Sequence, residues 1–291
     1  MASLKEVRIR IGSVNSTKQI TSAMKMVSAA KLRRAQDAIT RMRPYAEKLT
    51  EILGNVSASL DASESKFGVQ REVKRVLLVA ISSNRGLAGA FNSQVSRSVK
   101  RLIADHAGAE VKVLAIGKKS SDAWKRTNWH ATELPDNLAG VYDGLSFEKA
   151  APIAQAIMDK YAAGTYDKVV LVYNRFKNAG TQVLTEEQFL PVLPKARSEE
   201  AHQTKADHIM EPDRATIVQE IVPKSLKIQL YKALLDSHAA EHGARMTAMH
   251  KATDNADSLL KDLKLSYNKA RQAAITGEIL EIVGGAEALK G

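Results

Sequence analysis

Cysteine is absent from this sequence of 291 residues, and aromatic residues are scarce, with 14 in all. A chain without cysteine cannot be a disulfide-stabilised secreted module, a Cys-ligated zinc finger or an iron–sulfur protein. No apolar run reaches the roughly 18–20 residues that span a bilayer, and the first residues lack the apolar core of an export signal. The composition, with 44% apolar and 26% charged residues, is that of a folded protein, and we expect an intracellular one.

Positive charge is concentrated at the start of the chain. Residues 1–60 carry 11 basic and 4 acidic side chains, which is +7 of the total net charge of +11. Such a stretch can bind nucleic acid, anionic lipid or an acidic protein, or it can simply be solvated. Tyr45 is its one aromatic residue, so no stacking platform for bases lies among the lysines and arginines. This favours an acidic protein partner over RNA.

The first sixty residues have the periodicity of one long helix, with Pro44 as the expected bend. The stripe of a helix that packs on a partner helix is called the seam below. Apolar residues recur mainly at intervals of three and four positions, and this spacing predicts a seam. Its members include Val7, Ile11, Val14, Ile20, Met24, Val27, Ala35, Ala38, Met42, Tyr45, Leu49, Ile52 and Val56.

A second long helix is predicted to close the chain, with no proline after Pro223. Its seam is expected to contain many small residues: Met249, Ala252, Ala256, Leu259, Leu263, Ser266, Ala270, Ala273 and Gly277. Two such seams predict an antiparallel coiled coil of the N- and C-terminal helices. The C-terminal helix should project about 20 residues, or roughly 30 Å, beyond its partner.

Between the helices, continuous apolar runs alternate with helical stretches. Strands are predicted at 75–82, 111–116 and 168–173 and near 181–193, helices at 90–106, 118–126 and 146–163, and a loop at 194–211. This βαβ pattern predicts a central Rossmann-like α/β domain. The predicted division is an N-terminal helix over 1–74, the α/β domain over 75–211 and a C-terminal helix over 212–291.

Two short motifs suggest chemistry, and in both the structural explanation is preferred. The turn at 83–92 follows the first strand, where phosphate-binding loops lie, but it lacks the glycine spacing of either nucleotide fingerprint. His238-Ala239-Ala240-Glu241-His242 matches the H-x-x-E-H pattern of inverted zinc peptidases. Its alanine-rich context suggests no pocket, so we expect polar residues on an exposed or partner-facing stripe. Neither motif makes a persuasive active site.

The end of the C-terminal helix is apolar on more than one face, with Ile275, Ile279, Leu280, Ile282 and Val283. A two-helix seam buries one stripe only. We therefore expect other chains to surround this segment. The alternative is a helix that folds back onto the central domain.

These residues resemble the gamma-subunit family of F-type ATP synthases. The stretch 275–288, Ile-Thr-Gly-Glu-Ile-Leu-Glu-Ile-Val-Gly-Gly-Ala-Glu-Ala, is similar to the C-terminal signature of that family. Stretches 20–27, Ala30-Lys31-Leu32, Arg85-Gly86-Leu87 with Gly89, and 267–272 resemble its N-terminal helix, central turn and lower C-terminal helix. The resemblance covers essentially the whole chain. Ala88 stands where members often have cysteine, and the cysteine-bearing insert of chloroplast members is missing, so thiol regulation is not implied.

The resemblance implies a noncatalytic central rotor stalk without cofactors. In this family the terminal helices form a shaft inside a ring of alternating alpha and beta subunits, and the central domain sits on the membrane c-ring with epsilon, in a complex that also holds delta. The family implies ring contacts at Met24, Lys25, Arg245, Arg271, Gln272, Thr276 and Glu278, and epsilon or c-ring contacts at Glu211 and Asp213.

By the same resemblance, the chain couples proton-driven rotation to conformational changes at the beta catalytic sites. It would be a peripheral protein on the cytoplasmic face of a bacterial inner membrane, touching the membrane only through the c-ring and binding no nucleic acid. The competing interpretation is an RNA-binding coiled-coil protein with an α/β body, and a metal-dependent hydrolase comes third.

Overall fold

Along the chain, one long helix precedes a mixed four-stranded sheet and a second long helix follows it. The structure is a computed structural model that describes residues 4–57, 66–192 and 214–289. Helix α1 covers Leu4–Ser57 and continues through Pro44, and helix α5 covers Arg214–Ala288 and includes Pro223. The predicted long helices are confirmed, while the predicted loop at 194–211 lies outside the described residues.

The sheet has the order β2-β1-β3-β4. Its strands are β1 (Arg75–Ile81), β2 (Glu110–Ile116), β3 (Lys168–Asn178) and β4 (Thr181–Leu190). Strands β2 and β3 flank β1 in parallel, and β4 pairs antiparallel with β3. The helices between them are α2 (Phe91–Asp105), α3 (Lys118–Trp124) and α4 (Phe147–Ala162), with a short 3-10 helix at Leu138–Tyr142. The predicted α/β pattern is confirmed, including the added strand.

Strand β1 is buried on both faces because helices cover both sides of the sheet. Leu77, Val79 and Ile81 face a core that contains side chains of α4 and of the first part of α5. Val76, Leu78 and Ala80 face α2 and Trp124 of α3. A strand covered on both faces is a continuous apolar run, which is why β1 is recognisable in the sequence.

Part of α5 belongs to the core of the α/β layers. Leu226, Leu230 and Leu234 are each at most 2% exposed and pack against the same sheet face as α4. Their spacing of four residues places them on one side of the helix. Burial of each leucine contributes about 1.5–3 kcal/mol. The C-terminal helix therefore stabilises the sheet as well as pairing with α1.

Gly117 makes the tight connection between β2 and α3 possible. Its φ is +96°, and a Cβ at this position would lie 2.2 Å from the carbonyl oxygen of Ser82. Glycine alone has no Cβ and adopts positive φ without steric cost. The close approach lets Ser82 N donate to the Ile116 carbonyl at 2.9 Å, which joins the ends of β1 and β2.

The chain divides by its contacts into two compact units. One consists of Met1–Ser28 with Arg245–Gly291, and the other of Ala29–Ala244. The first is called the paired-helix unit and the second the sheet unit below. No described helix is long and apolar enough to cross a membrane. The division at 74/75 and 211/212 stays a prediction.

Candidate partner-binding surface of the paired helices

Polar contacts fix the alignment of the two helices in the paired-helix unit. Lys18 Nζ lies 2.5 Å from Asp257 Oδ1, and the hydroxyls of Thr21 and Thr253 are 2.8 Å apart. Lys25 Nζ lies 3.5 Å from His250 Nδ1. As the residue number rises on α1 it falls on α5, so the helices are antiparallel and the predicted coiled coil is confirmed.

The observed seam of α1 agrees with the predicted one at Val7, Ile11, Val14, Ala35, Met42 and Leu49 and departs from it elsewhere, while the predicted Ile52 and Val56 lie outside the residues whose side chains are described. Its buried and half-buried positions alternate steps of four and three through Val7, Ile11, Val14, Lys18, Thr21, Lys25, Ser28, Leu32, Ala35, Ile39, Met42, Ala46 and Leu49. Ile20, Val27 and Tyr45 were predicted in the seam, but each is at least 50% exposed. For Ile20 and Val27 the prediction was wrong because it assumed that apolar residues occupy the seam, whereas polar residues do so between 18 and 28. Tyr45 is one place before Ala46, which occupies the seam.

The seam of α5 shows the same kind of shift. Met249, Ala256, Leu263, Ala270 and Gly277 are in the predicted positions, and the alternate positions are Thr253, Leu260, Tyr267 and Ala274. The predicted residues at those positions, Ala252, Leu259, Ser266 and Ala273, are each one place too early. Small or apolar residues occur both at most of the predicted positions and at most of the positions one residue later. The periodicity of apolar residues alone therefore did not distinguish the two sets of positions.

Large apolar side chains cover the outside of the paired helices. On α1, Ile9, Ile20, Met26 and Val27 are 58–65% exposed. On α5, Leu259 and Leu265 are exposed, followed by Ile275, Ile279, Leu280, Ile282 and Val283, and Leu289 is exposed just after the helix. Apolar surface of this extent marks an interaction site. The surface formed by these side chains is called the outer apolar surface below.

Helix α5 continues beyond the start of α1. The cross-helix pairs have residue numbers that add to 274 or 275, so Leu4 lies level with residue 270 or 271. Helix α5 ends at Ala288, about 17 residues or roughly 25 Å further on. All side chains from 278 to 289 are exposed. This confirms the predicted projection and the predicted apolar surface of the last segment.

The residues predicted to contact the subunit ring differ in exposure. Arg271, Gln272, Thr276 and Glu278 are exposed on α5, level with the start of α1 or beyond it. Met24 and Lys25 are half-buried at the seam. Arg245 is 6% exposed, so a partner could reach only a small part of it. Glu211 and Asp213 lie in the stretch 193–213, which is not among the described residues.

The backbone amides at the strand ends of the sheet unit bond to the chain's own side chains. Ser83 N donates to Asn92 Oδ1 at 3.0 Å, Lys118 N to Asn84 Oδ1 at 3.0 Å, and Ser120 N to Ser82 Oγ at 2.7 Å. In nucleotide-binding sheets, amides at such positions bind phosphate oxygens. Here they already have acceptors, which agrees with the structural interpretation of this turn.

The H-x-x-E-H residues lie in the sheet unit and are largely buried. Glu241 is 6% and His242 4% exposed, and His238 is half-buried. The expectation of an exposed or partner-facing stripe was wrong, because the 3-10 helix packs on this turn of α5. The ring of Tyr142 stacks on His238, with centroids 5.6 Å apart and an angle of 18° between the planes. Burial raises the pKa of the Tyr142 phenol, and the nearby Glu241 carboxylate raises it further.

Comparison with known proteins covers the full length of the chain. The family described as ATP synthase matches residues 3–289. The "ATP synthase gamma chain" of Flavobacterium psychrophilum is 60% identical over 292 residues, which is 100% of both chains. The chain belongs to the ATP synthase gamma-chain family. The gamma chain of Christiangramia forsetii is 57% identical over 100% of both chains, and these relatives are bacterial, as expected.

Solved structures agree with this family assignment. The central stalk and c-ring structure of the Tetrahymena thermophila mitochondrial ATP synthase contains a chain that is 29% identical, with a TM-score of 0.58. The match covers 80% of this gamma-family chain and 99% of that chain. A Euglena gracilis mitochondrial ATP synthase structure shares the fold at a TM-score of 0.68, 21% identity and 98% coverage of this chain. The RNA-binding alternative finds no support among these relatives.

Proposed function

We propose that this chain is the central rotor stalk of a bacterial proton-translocating ATP synthase. It couples proton-driven rotation of the membrane c-ring to conformational changes at the beta catalytic sites. The observation that carries the proposal is the outer apolar surface with its exposed end beyond residue 271. That surface needs a covering of other chains, and the full-length similarity to gamma chains supports a ring of alpha and beta subunits as the covering.

The composition of this surface suits a rotating contact. Aliphatic and small side chains form shallow contacts, whereas aromatic anchors tend to become strong binding sites. The described part of α5 beyond Tyr267 has no aromatic side chain. The exposed polar residues Arg271, Gln272, Thr276 and Glu278 would then supply contacts that depend on the rotor angle. Because the two helices present different residues around the shaft, each beta subunit meets a different surface, and differential contact energy biases its conformation.

The chain itself is proposed to be noncatalytic and to need no cofactor. The amides at the strand ends already bond to Asn84, Asn92 and Ser82, which supports the absence of a nucleotide site there. The proposed division is a shaft made by 1–74 and 212–291 and a foot made by 75–211. Glu211 and Asp213 are proposed to contact epsilon or the c-ring, and delta belongs to the same complex.

The proposed location is the cytoplasmic face of the bacterial inner membrane, as a peripheral protein held through the c-ring. This rests on the family assignment. Fractionation of cells that express the tagged chain should place it with inner-membrane vesicles of inverted orientation. It should be released together with alpha and beta subunits at low ionic strength, and its appearance outside the membrane fraction before release would contradict the proposal.

Assembly tests the proposed function directly. The purified chain is mixed with alpha and beta subunits of a bacterial relative, and ATP hydrolysis is measured after gel filtration. We expect a stoichiometric complex with activity that the alpha and beta subunits alone do not reach. A matched chain with Ile279→Asp and Ile282→Asp should assemble poorly while keeping its own helix content. Failure of the wild-type chain to form an active complex would contradict the proposal.

A further inference from the structure

The hairpin of β3 and β4 reaches beyond the rest of the sheet and contacts α5. Strand β1 pairs with β3 only as far as Val172, whereas β3 and β4 stay paired up to Asn178 and Thr181. The part of the hairpin over 173–187 therefore has no further strand beside it among the described residues. It is called the hairpin extension below. It contacts α5 at two places, one near its base and one at its tip.

The base of the hairpin extension is joined to α5 by hydrogen bonds through Glu187. Gln229 Nε2 donates to Glu187 Oε1 at 2.9 Å and to the Gln188 carbonyl at 3.2 Å. The other oxygen of the same carboxylate accepts a hydrogen bond from the Tyr173 hydroxyl at 2.7 Å. Burial raises the pKa of the Tyr173 phenol, and the Glu187 carboxylate raises it further, so the hydroxyl keeps its proton and remains a donor. One carboxylate thus connects β3, β4 and α5.

The tip of the hairpin extension packs closely on Gly243 of α5. A Cβ at Gly243 would lie 3.2 Å from the Ala179 carbonyl oxygen and 3.4 Å from Cε2 of Phe176, so a larger residue would push the tip away. The Phe176 ring also packs against an apolar cluster that includes Ala240. Gly243 follows Gln229 by 14 residues, which is roughly 21 Å along the helix. The two attachments are therefore about four helical turns apart.

Helix α5 is enclosed over most of the distance between these two attachments. Every residue from 233 to 243 is buried, apart from the half-buried His238. Protein interiors are close-packed, have low compressibility and transmit strain. A helix that is held at two levels resists bending and twisting between them, whereas a helix held at one level can pivot there. The two attachments therefore fix the direction of α5 within the sheet unit.

We propose that the hairpin extension is a brace through which torque passes from the sheet unit into α5. The inference rests on the proposed rotor function and adds the residues that carry the load within the chain. Glu187, Gln229 and Gly243 are positioning residues, because they act by holding the helix. The chain continues into the paired-helix unit at Arg245, so the brace supports α5 up to the last residues before that unit.

Angular fluctuations of the assembled rotor test this inference. The chain is assembled with alpha and beta subunits of a bacterial relative that are fixed to a surface. A gold rod is attached through Lys100→Cys, an exposed position in α2. The chain has no cysteine of its own, so the rod is attached at one site. The angular variance of the rod is recorded during the pauses of ATP-driven rotation at low ATP, and a looser brace gives a larger variance.

Each attachment has its own variant. Gly243→Val inserts a side chain against Ala179, and Gln229→Ala removes the two hydrogen bonds at the base. Each variant should raise the angular variance about twofold, because two attachments that share a load leave about half the stiffness when one is lost. The rate of ATP hydrolysis without a load should stay at the wild-type value, since the residues proposed to contact the subunit ring are unchanged.

Gly108→Val is the matched control, because a Cβ at Gly108 has no neighbour within 4 Å and its φ is not in the positive range. Its angular variance should equal that of the wild-type chain. If Gly243→Val does not assemble, Gln229→Ala and the smaller change Gly243→Ala decide the question.

Thermal midpoints of the isolated chains separate bracing from folding. If the variants at Gly243 and Gln229 lower the midpoint but leave the angular variance unchanged, the contacts only stabilise the fold and the proposal is overturned. An equal rise of the variance in Gly108→Val would overturn it as well. A wild-type chain that assembles but does not rotate would instead contradict the proposed function.

Discussion

The hydroxyls of Thr21 and Thr253 lie 2.8 Å apart across the paired helices, at a position where a coiled coil normally buries aliphatic side chains. Each hydroxyl also lies within hydrogen-bonding distance of a carbonyl of its own helix, Lys18 at 3.0 Å and Met249 at 2.8 Å. One hydroxyl can therefore donate across the seam while the other donates within its helix. The pair gives the seam a specific alignment at a small cost in apolar burial.

A double-mutant cycle should detect coupling between these threonines. Thr21→Val and Thr253→Val each remove one partner, and the coupling free energy should be about 0.5–1.5 kcal/mol. The measurement is urea unfolding of the wild-type chain, both single variants and the double variant. Thr17→Val is the control, since Thr17 is exposed and its hydroxyl donates to the Ser13 carbonyl of the same helix at 3.0 Å. A strictly additive cycle would show that the contact contributes nothing.

Replacement of Gly117 by alanine should destabilise the sheet unit strongly. The new Cβ would lie 2.2 Å from the Ser82 carbonyl oxygen, and φ is +96°. We expect a loss of at least about 2 kcal/mol in the free energy of unfolding, from backbone strain and the displaced end of β1. Gly108→Ala is the control, because a Cβ at Gly108 has no neighbour within 4 Å and its φ is not in the positive range. Equal stability of the two variants would contradict this explanation.

The carboxylate of Asp167 joins the starts of β1 and β3. It is 5% exposed and accepts hydrogen bonds from the backbone amides of Lys74 at 3.1 Å and Arg75 at 2.9 Å. Asp167→Ala should lower the free energy of unfolding by about 1–3 kcal/mol, since the amides lose a charged acceptor. Asp167→Asn keeps one acceptor and should lose less. Chemical denaturation measures both, with the exposed Asp159→Ala as control; a loss in Asp159→Ala as large as that in Asp167→Ala would refute the assignment.

Arg271→Ala and Gln272→Ala should impair coupling without affecting folding. Both side chains are exposed beside the start of α1, so the free energy of unfolding of the isolated chain should change by less than about 0.5 kcal/mol. In the assembled complex, ATP-driven proton pumping into vesicles should fall several-fold relative to ATP hydrolysis. Lys100→Ala, an exposed change in α2, should pump normally. Normal pumping by both Arg271→Ala and Gln272→Ala would count against the proposed contacts.

Met24→Lys should also reduce coupling, but by adding a charge rather than by removing a contact. Met24 is half-buried next to the polar part of the seam, in the region proposed to face acidic loops of beta subunits. The additional positive charge should strengthen one angular contact and reduce coupling. The ratio of pumped protons to hydrolysed ATP measures this, and Met24→Leu is the matched control. An unchanged ratio in Met24→Lys would argue against an acidic partner at this position.

The helices and strands could be predicted from the sequence, while the way in which they pack could not. A strand covered on both sides, such as β1, is a continuous apolar run, and long helices repeat their apolar residues over many turns. The seam was misplaced where Lys18, Thr21, Lys25 and Ser28 replace apolar residues. No apolar period marks such positions, and only the facing helix shows that they are enclosed.

The role of the first part of α5 was also not predicted. Leu226, Leu230 and Leu234 have the spacing of a buried face, but the sequence did not say whether that face meets α1 or the sheet. The burial of His242 depends in the same way on the distant 3-10 helix at Leu138–Tyr142. Contacts between segments about 100 residues apart leave no local pattern, so both the core role of α5 and the burial of Glu241 and His242 required the structure.

The polar pairs of the seam also determine how the paired helices respond to a load along their length. A displacement by one heptad in one direction would bring Lys18 level with Lys264 and Thr21 level with Leu260, so an ion pair would become a repulsion and the Thr21 hydroxyl would lose its partner across the seam. A purely aliphatic seam would resist such slippage far less, since one apolar layer can replace the next. These polar pairs have no equivalent one heptad away in that direction, so they oppose sliding of one helix along the other.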